Sequence, residues 1–276
     1  MKLIVHNRPA HAWTGGREPI ADQTWLVLLH GAQNDHSVWA LQGRWFAHHG
    51  WNVLALDLPG HGRSEGPPPD TIEGYADWVA AALEAANIDR AAVAGHSMGS
   101  LIALELAGRD MSPVDHLILI GTAYPMVVSE HLLQAARERL PEAIDMITAW
   151  SHSGWGQKPQ APAPGSFLNW AARRLMQRVA ARHGSEILAN DFAACNAYQG
   201  GLEAAGRVRC PSSLILGGRD IMTPPSRARD LANTLPASRQ VVIAQAGHSL
   251  MTETPDAVLD ALRDSLIQTE PRRRLT

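Results

Sequence analysis

Most of the chain's short apolar runs show no polar alternation, and this property narrows the possible folds more than any other feature. The runs are TWLVLLH (24–30), WNVLALDL (51–58), AAVAGH (91–96), HLILIG (116–121), SSLILGG (212–218) and RQVVIAQ (239–245). A strand with one wet face alternates apolar and polar residues, whereas a strand covered on both faces reads as continuous apolar sequence. Between the runs, apolar residues recur at helical spacing: Val38, Leu41 and Trp45, then Ile72, Tyr75, Val79 and Leu83, and later Val258, Leu262 and Leu266. Thr254-Pro255-Asp256 reads as a helix start, with a capping hydroxyl, proline at the first helical position and an acid near the positive end of the dipole. Strands alternating with helices predict βαβ units, and so an α/β protein with a mostly parallel sheet between helical layers.

The rhythm holds to about residue 122 and then breaks. From Tyr124 to about Val208 no run reads as a strand, and helical stretches occupy 129–139, 141–150, 166–182 and 185–198. Leu168, Ala171, Leu175 and Val179 share one predicted face, and Leu188, Phe192 and Cys195 another. The loop SHSGWGQKPQAPAPG (151–165) separates them and is too rich in proline and glycine for either element. Residues 124–207 are thus expected to form a helical insertion in a unit built from 1–123 and 208–276.

Composition removes whole classes of partner. With 276 residues and a formal net charge of −3, the chain has no general electrostatic attraction for nucleic acid or an anionic membrane. A small, roughly neutral substrate fits better. The opening MKLIVHNRPAHAW meets polar residues and proline before a secretory hydrophobic region can form, and no later segment approaches a membrane span, so the expected location is the cytoplasm. Cys195 and Cys210 are too few for a disulfide framework and read as core thiols. No pair of histidines or carboxylates has metal-ligand spacing, so no metal is expected. The terminal EPRRRLT reads as a solvated tail.

One motif carries chemistry. Gly95-His96-Ser97-Met98-Gly99 has the form G-x-S-x-G where a strand passes into a helix, the setting of a nucleophile elbow. A serine hydroxyl needs a base near neutral pH, and the base needs a third group to fix its tautomer. Asp220 follows the run at 212–218 and His248 the run at 239–245. In a parallel sheet the loops after strands gather at one edge, so Ser97, Asp220 and His248 can converge, and their chain order is nucleophile, acid, histidine. An oxyanion needs preorganised donors, for which the candidates are the backbone amides of Met98 and Ala32. Gln33 is a candidate substrate contact; Asn34 and Asp35 are better read as caps of the next helix.

At this point the sequence resembles the α/β-hydrolase superfamily. The matching elements are LLHG (28–31), DLPGHGRS (57–64), GHSMG (95–99), GGRD (217–220) and GH (247–248), in family order and spacing. The resemblance implies an eight-stranded, mostly parallel sheet flanked by helices, with residues 124–207 as a helical cap. It also implies Ser97, Asp220 and His248 as catalytic residues, the Ala32 and Met98 amides as oxyanion hole, and no cofactor. Ser100 departs from the pattern, since many members have glycine there. Asp57 is expected to support the PGHG turn, His61 to be structural and His96 to point away from the nucleophile. Some members carry the acid one strand earlier, but here Gly121-Thr122-Ala123 offers no carboxylate.

Arg174, Arg178 and Arg182 read as a solvated helix face. Trp150, Trp155 and Trp170 are candidate pocket walls, although packing of insertion against sheet explains them equally. The function expected is hydrolysis of a small or medium carboxylic ester through a Ser97 acyl-enzyme, with a small-molecule acyl substrate as partner. Thioesterase, lactonase, acyltransferase and carbon–carbon hydrolase chemistries share the same residues, and some members are non-catalytic ligand receptors. Carbon–carbon hydrolases of ring-cleavage products typically carry asparagine before the serine and tryptophan after the histidine, where this chain has His96 and Ser249.

Overall fold

A computed structural model describes residues 1–153 and 165–267. Eight strands, β1 Lys2–Val5, β2 Arg8–Trp13, β3 Trp25–Leu29, β4 Asn52–Leu56, β5 Ala91–His96, β6 Val114–Ile120, β7 Ser212–Gly217 and β8 Arg239–Ile243, form one sheet in the order β1-β2-β4-β3-β5-β6-β7-β8. From β4 to β8 every neighbouring pair is parallel, while β2 runs antiparallel to both β1 and β4. The helices are α1 Ala40–Ala47, α2 Ile72–Ala85, α3 Met98–Ala107, α4 Glu130–Glu138, α5 Leu140–Trp150, α6 Gly165–His183, α7 Ile187–Ala197, α8 Gly201–Arg207, α9 Arg229–Thr234, α10 Leu250–Glu253 and α11 Pro255–Ile267. None of the described helices is long and apolar enough to cross a membrane.

The six apolar runs all become strands, and their continuity has a direct cause. Successive side chains leave a strand on opposite faces. Val27, Leu29, Leu54 and Leu56 pack with α2, α3, α8 and α9 on one side, while Leu26, Leu28, Val53 and Ala55 pack with α1, α10 and α11 on the other. Either face would be unstable in water, since each such leucine or valine contributes about 1.5–3 kcal/mol on full burial. Helix α3 lies deepest, with all ten residues buried.

The hairpin β1–β2 escapes the pattern because it sits at the edge and alternates in burial. His6 and Asn7 connect the strands with positive φ values of 47° and 61°, the conformation a two-residue hairpin turn requires. Pro9 is tolerated because only β1 borders β2 at that point. Two helical faces depart in part from those expected: Leu41 is exposed while Gln42, Gly43 and Phe46 are buried, and in α6 Val179 is buried as expected but Asn169 and Met176 are buried as well while Ala171 is exposed. The Thr254 hydroxyl donates back to the Leu250 carbonyl at 3.2 Å, closing α10 rather than capping α11.

Helices α4 to α8 all fall between β6 and β7. Side chains from α4 to α7, among them Leu132, Leu133, Ile144, Met176, Leu188 and Phe192, form a third apolar cluster. Ala204 and Ala205 of α8 join the sheet's own core instead.

Two histidines at the strand ends are buried. His30 Nδ1 donates to the Gly31 carbonyl at 2.8 Å and Nε2 accepts from the Leu58 amide at 3.1 Å, a pattern only the neutral ring satisfies. His96 Nε2 donates to the His248 carbonyl at 2.8 Å. Burial pushes His30 down to about 4 and His96 to about 3. The unfolded chain protonates both rings below about 6.5 while the folded chain does not, so acid favours unfolding. Between pH 6 and 4.5 the two rings together should remove up to about 3 kcal/mol of stability per pH unit. Denaturant titrations at a series of pH values measure that slope; stability flat over the interval would mean that both rings are charged in the fold.

Candidate active site

Ser97 links β5 to α3 with φ 52° and ψ −121°, a conformation rare for any residue but glycine and costing on the order of 1–3 kcal/mol. The neighbouring glycines explain how the chain reaches it. A Cβ on Gly99 would lie 2.6 Å from the carbonyl oxygens of both Leu29 and His30, and one on Gly95 would overlap the Gly99 carbonyl. Strand β3, strand β5 and helix α3 therefore meet backbone to backbone under the serine. The Ser97 amide donates to the Ile120 carbonyl at 3.0 Å. Ser100, the departure from the family pattern, donates its hydroxyl to the Ser97 carbonyl at 2.6 Å and lies 2.8 Å from the Thr122 hydroxyl, bracing the turn.

His248 and Asp220 arrive on the loops after β8 and β7. His248 Nδ1 donates to Asp220 Oδ2 at 2.8 Å, which leaves Nε2 as the basic nitrogen. Asp220 Oδ1 also accepts from the amides of Met222 and Thr223, each at 2.8 Å. Burial opposes the carboxylate's charge, but His248 and the Thr223 donors outweigh it and hold the carboxyl well below its ordinary range. Thr223 was not anticipated. Its hydroxyl lies 2.7 Å from Asp220 Oδ2, 2.9 Å from the Gly121 carbonyl oxygen and 3.0 Å from His248 Nδ1. Only its place three residues after an aspartate, the spacing of a local side-chain turn, could have signalled it. Further bonds hold the His248 loop: Glu253 accepts from the Gly247 amide at 3.1 Å and from the Ser153 amide at 2.9 Å, while the Ser249 amide donates to the Ser151 carbonyl at 2.8 Å.

Ser97, His248, Thr223 and Ala32 line one cavity of about 350 Å³. The rest of its described wall comes mainly from the insertion and its approach: Met126, Val127, Leu132, Trp150, Phe192 and Cys195, with Ile221 and Met222. Met98 is the first residue of α3, where the helical ladder does not use the amide. Such a set can bring a nucleophile and a base with a fixed tautomer to a carbonyl carbon, and backbone donors to its oxygen.

The remaining candidates are placed differently. Gln33 is buried and faces the protein: its amide donates to Asp191 Oδ2 at 2.8 Å and its carboxamide to the Met176 carbonyl at 3.0 Å, so it joins the β3 loop to the insertion. Trp170 is 56% exposed, sits beside Phe167 and is absent from the cavity wall. Trp155 lies outside the described residues. Asp35 caps the turn at 36–39 as expected, but its Oδ2 also receives Arg178 at 2.7 Å, so this arginine is an ion-pair partner rather than merely solvated. Asp57 accepts from the His36 amide and ring and from the Arg63 amide, holding the 57–64 turn. Among the described residues one group of metal-type side chains converges, His11, His36 and Asp57, with ligand atoms within 4.8 Å; the 2.7 Å His36–Asp57 contact there is a hydrogen bond.

Comparison with known proteins places the chain in a family. A 2-succinyl-6-hydroxy-2,4-cyclohexadiene-1-carboxylate synthase of Klebsiella pneumoniae is 29% identical over 252 residues, 88% of this chain and 93% of that protein. A pimeloyl-(acyl-carrier protein) methyl ester esterase of Neisseria meningitidis serogroup C is 30% identical over 255 residues, covering 87% and 92%. Among solved structures, the enol-lactonase from Burkholderia xenovorans superposes with a TM-score of 0.84 at 24% identity, over 97% of this chain and all of that one. The α/β-hydrolase fold family matches residues 24–255, and this chain belongs to it.

Proposed function

We propose that the protein is a serine hydrolase cleaving uncharged carboxylic esters with small or medium acyl groups, and that residues 124–207 serve as a cap over the site. The observation that carries this reading is the 2.8 Å bond to buried Asp220 from His248, which lines the same cavity as the strained Ser97. Esterase names among the relatives support it.

His248 Nε2 takes the Ser97 proton as Oγ bonds to the carbonyl carbon, and the amides of Ala32 and Met98 receive the oxyanion. Collapse breaks the ester C–O bond, and the alcohol leaves with the proton from His248. Water, deprotonated by the same nitrogen, then attacks the acyl carbon; Ser97 regains its proton and the acid departs. Asp220 remains ionised throughout and stabilises the imidazolium. No Asp, Glu, Lys or Arg is among the described residues of the cavity wall, which favours an uncharged acyl group, and about 350 Å³ suits a small or medium one.

Ser97→Ala should lower kcat by on the order of 10⁶-fold with the fold intact. A fluorophosphonate should label Ser97 alone, read by peptide mass spectrometry; labelling elsewhere would reassign the nucleophile. Asp220→Asn should lower kcat by up to about 10⁴-fold, because the amide favours the wrong imidazole tautomer. Near-normal turnover in that variant would mean that another acid orients His248. Trp150→Ala should change the ratio of kcat/KM across a series of acyl chain lengths, while Trp170→Ala leaves it unaltered. Equal losses at every chain length for Trp150→Ala would remove the insertion from substrate selection.

A further inference from the structure

Asp191 of α7 is completely buried, an unusual position for a carboxylate in an apolar helical insertion. Its Oδ2 accepts from the Gln33 amide at 2.8 Å and from His61 Nε2 at 2.9 Å, and its Oδ1 accepts from the Tyr75 hydroxyl at 2.7 Å. These donors belong to the loop after β3, the turn after β4 and helix α2, so one side chain of the insertion engages three parts of the sheet framework. The other nitrogen of His61, Nδ1, faces the Pro59 carbonyl at 3.1 Å. With an acceptor at each nitrogen the ring carries two protons and is an imidazolium, the counter-charge a buried carboxylate needs. Burial opposes that charge, but Asp191 outweighs it and raises His61 above the ordinary histidine range.

Gln33 has a positive φ of 48°, which a non-glycine residue keeps only where its surroundings dictate it. Its amide and that of Ala32 flank the same Cα, so anchoring one restricts the other. We infer that Asp191 is a positioning residue for the oxyanion loop: through the Gln33 amide it holds Ala32 where a developing oxyanion needs its donor, with His61 as fixed counter-charge. The inference rests on the proposed role of the Ala32 and Met98 amides.

The test compares the full-length protein with Asp191→Ala, Asp191→Asn and Tyr75→Phe, each scaled to its active fraction by fluorophosphonate titration. The readouts are kcat and KM for p-nitrophenyl butyrate, inhibition by an alkyl trifluoromethyl ketone, whose adduct carries an oxyanion, and hydrogen exchange at the Gln33 amide. Asp191→Ala should lower kcat about 10²-fold and weaken the ketone by a similar factor, with KM within about threefold and faster Gln33 exchange. Asp191→Asn, which keeps an oxygen for the Gln33 amide, should recover most of the loss. Tyr75→Phe removes a bond to the same carboxylate but not the Gln33 anchor, and should stay within about threefold of wild type. If Asp191→Ala does not fold, Asp191→Ser carries the same expectations.

Unchanged kcat and ketone affinity in folded Asp191→Ala or Asp191→Ser would overturn the inference, as would an Asp191→Asn loss as large as that of Asp191→Ala. So would equal losses in Tyr75→Phe, or a fall in kcat accompanied by a comparable rise in KM, since a merely structural role predicts those. In each of these cases wild type still turns over the ester and the hydrolase reading stands. A wild type that neither cleaves esters nor reacts with the phosphonate would overturn the hydrolase reading itself, and this inference with it.

Discussion

Everything at the site depends on a close backbone contact. Gly99 leaves no room for a side chain against the carbonyls of Leu29 and His30, and Gly95 none against Gly99. Because β3, β5 and α3 touch there, the chain reverses within a single residue, and Ser97 takes a conformation it would not choose alone. The strain is sustained by what surrounds it. Helix α3 is buried along its whole length and β5 lies between β3 and β6, so relaxing the turn would disrupt the centre of the molecule.

The same arrangement decides where the partners arrive. In a parallel sheet, equivalent ends of the strands share one edge, so His248 reaches Asp220 and lines one cavity with Ser97 although the three come from separate strand ends. Precision is then added by short polar contacts. Asp220 has both oxygens engaged by donors, and the His248 loop is tied to His96, Glu253 and Ser151. A buried carboxylate is tolerable only with such partners, and each of them also restricts its direction.

How much was legible in the sequence follows from which forces leave local patterns. Burial on both faces writes itself as an uninterrupted apolar run, so six strands could be read; β1 and β2 lie at the edge and leave no such run. Steric exclusion writes itself as glycine, which marked the elbow at residues 95–99. Contacts between residues far apart in the chain leave no local mark. Nothing near Asp191 indicates that its partners lie at Gln33, His61 and Tyr75, more than a hundred residues away. Nor does a glutamine in a loop disclose that its carboxamide will face Met176. Helical faces fall between these cases: α2 was readable because its apolar stripe is complete, whereas α1 turns Gln42 and Gly43 inward and Leu41 outward.

The ties between insertion and sheet bear on how such a protein could be rebuilt. Most of the cavity wall comes from the insertion and the chemical groups come from the sheet edge, which invites exchanging one insertion for another to alter scope. Yet the insertion also supplies the acceptor for Gln33, His61 and Tyr75, and through Ser151 and Ser153 it braces the loop that carries His248. A transplanted segment lacking these groups would leave a buried imidazole, a phenol and an amide without their acceptor and the histidine loop without its strut. The seam for a chimera therefore follows hydrogen bonds rather than sequence boundaries: α7 and the turn after α5 belong with the framework, and α4 with the exchangeable wall.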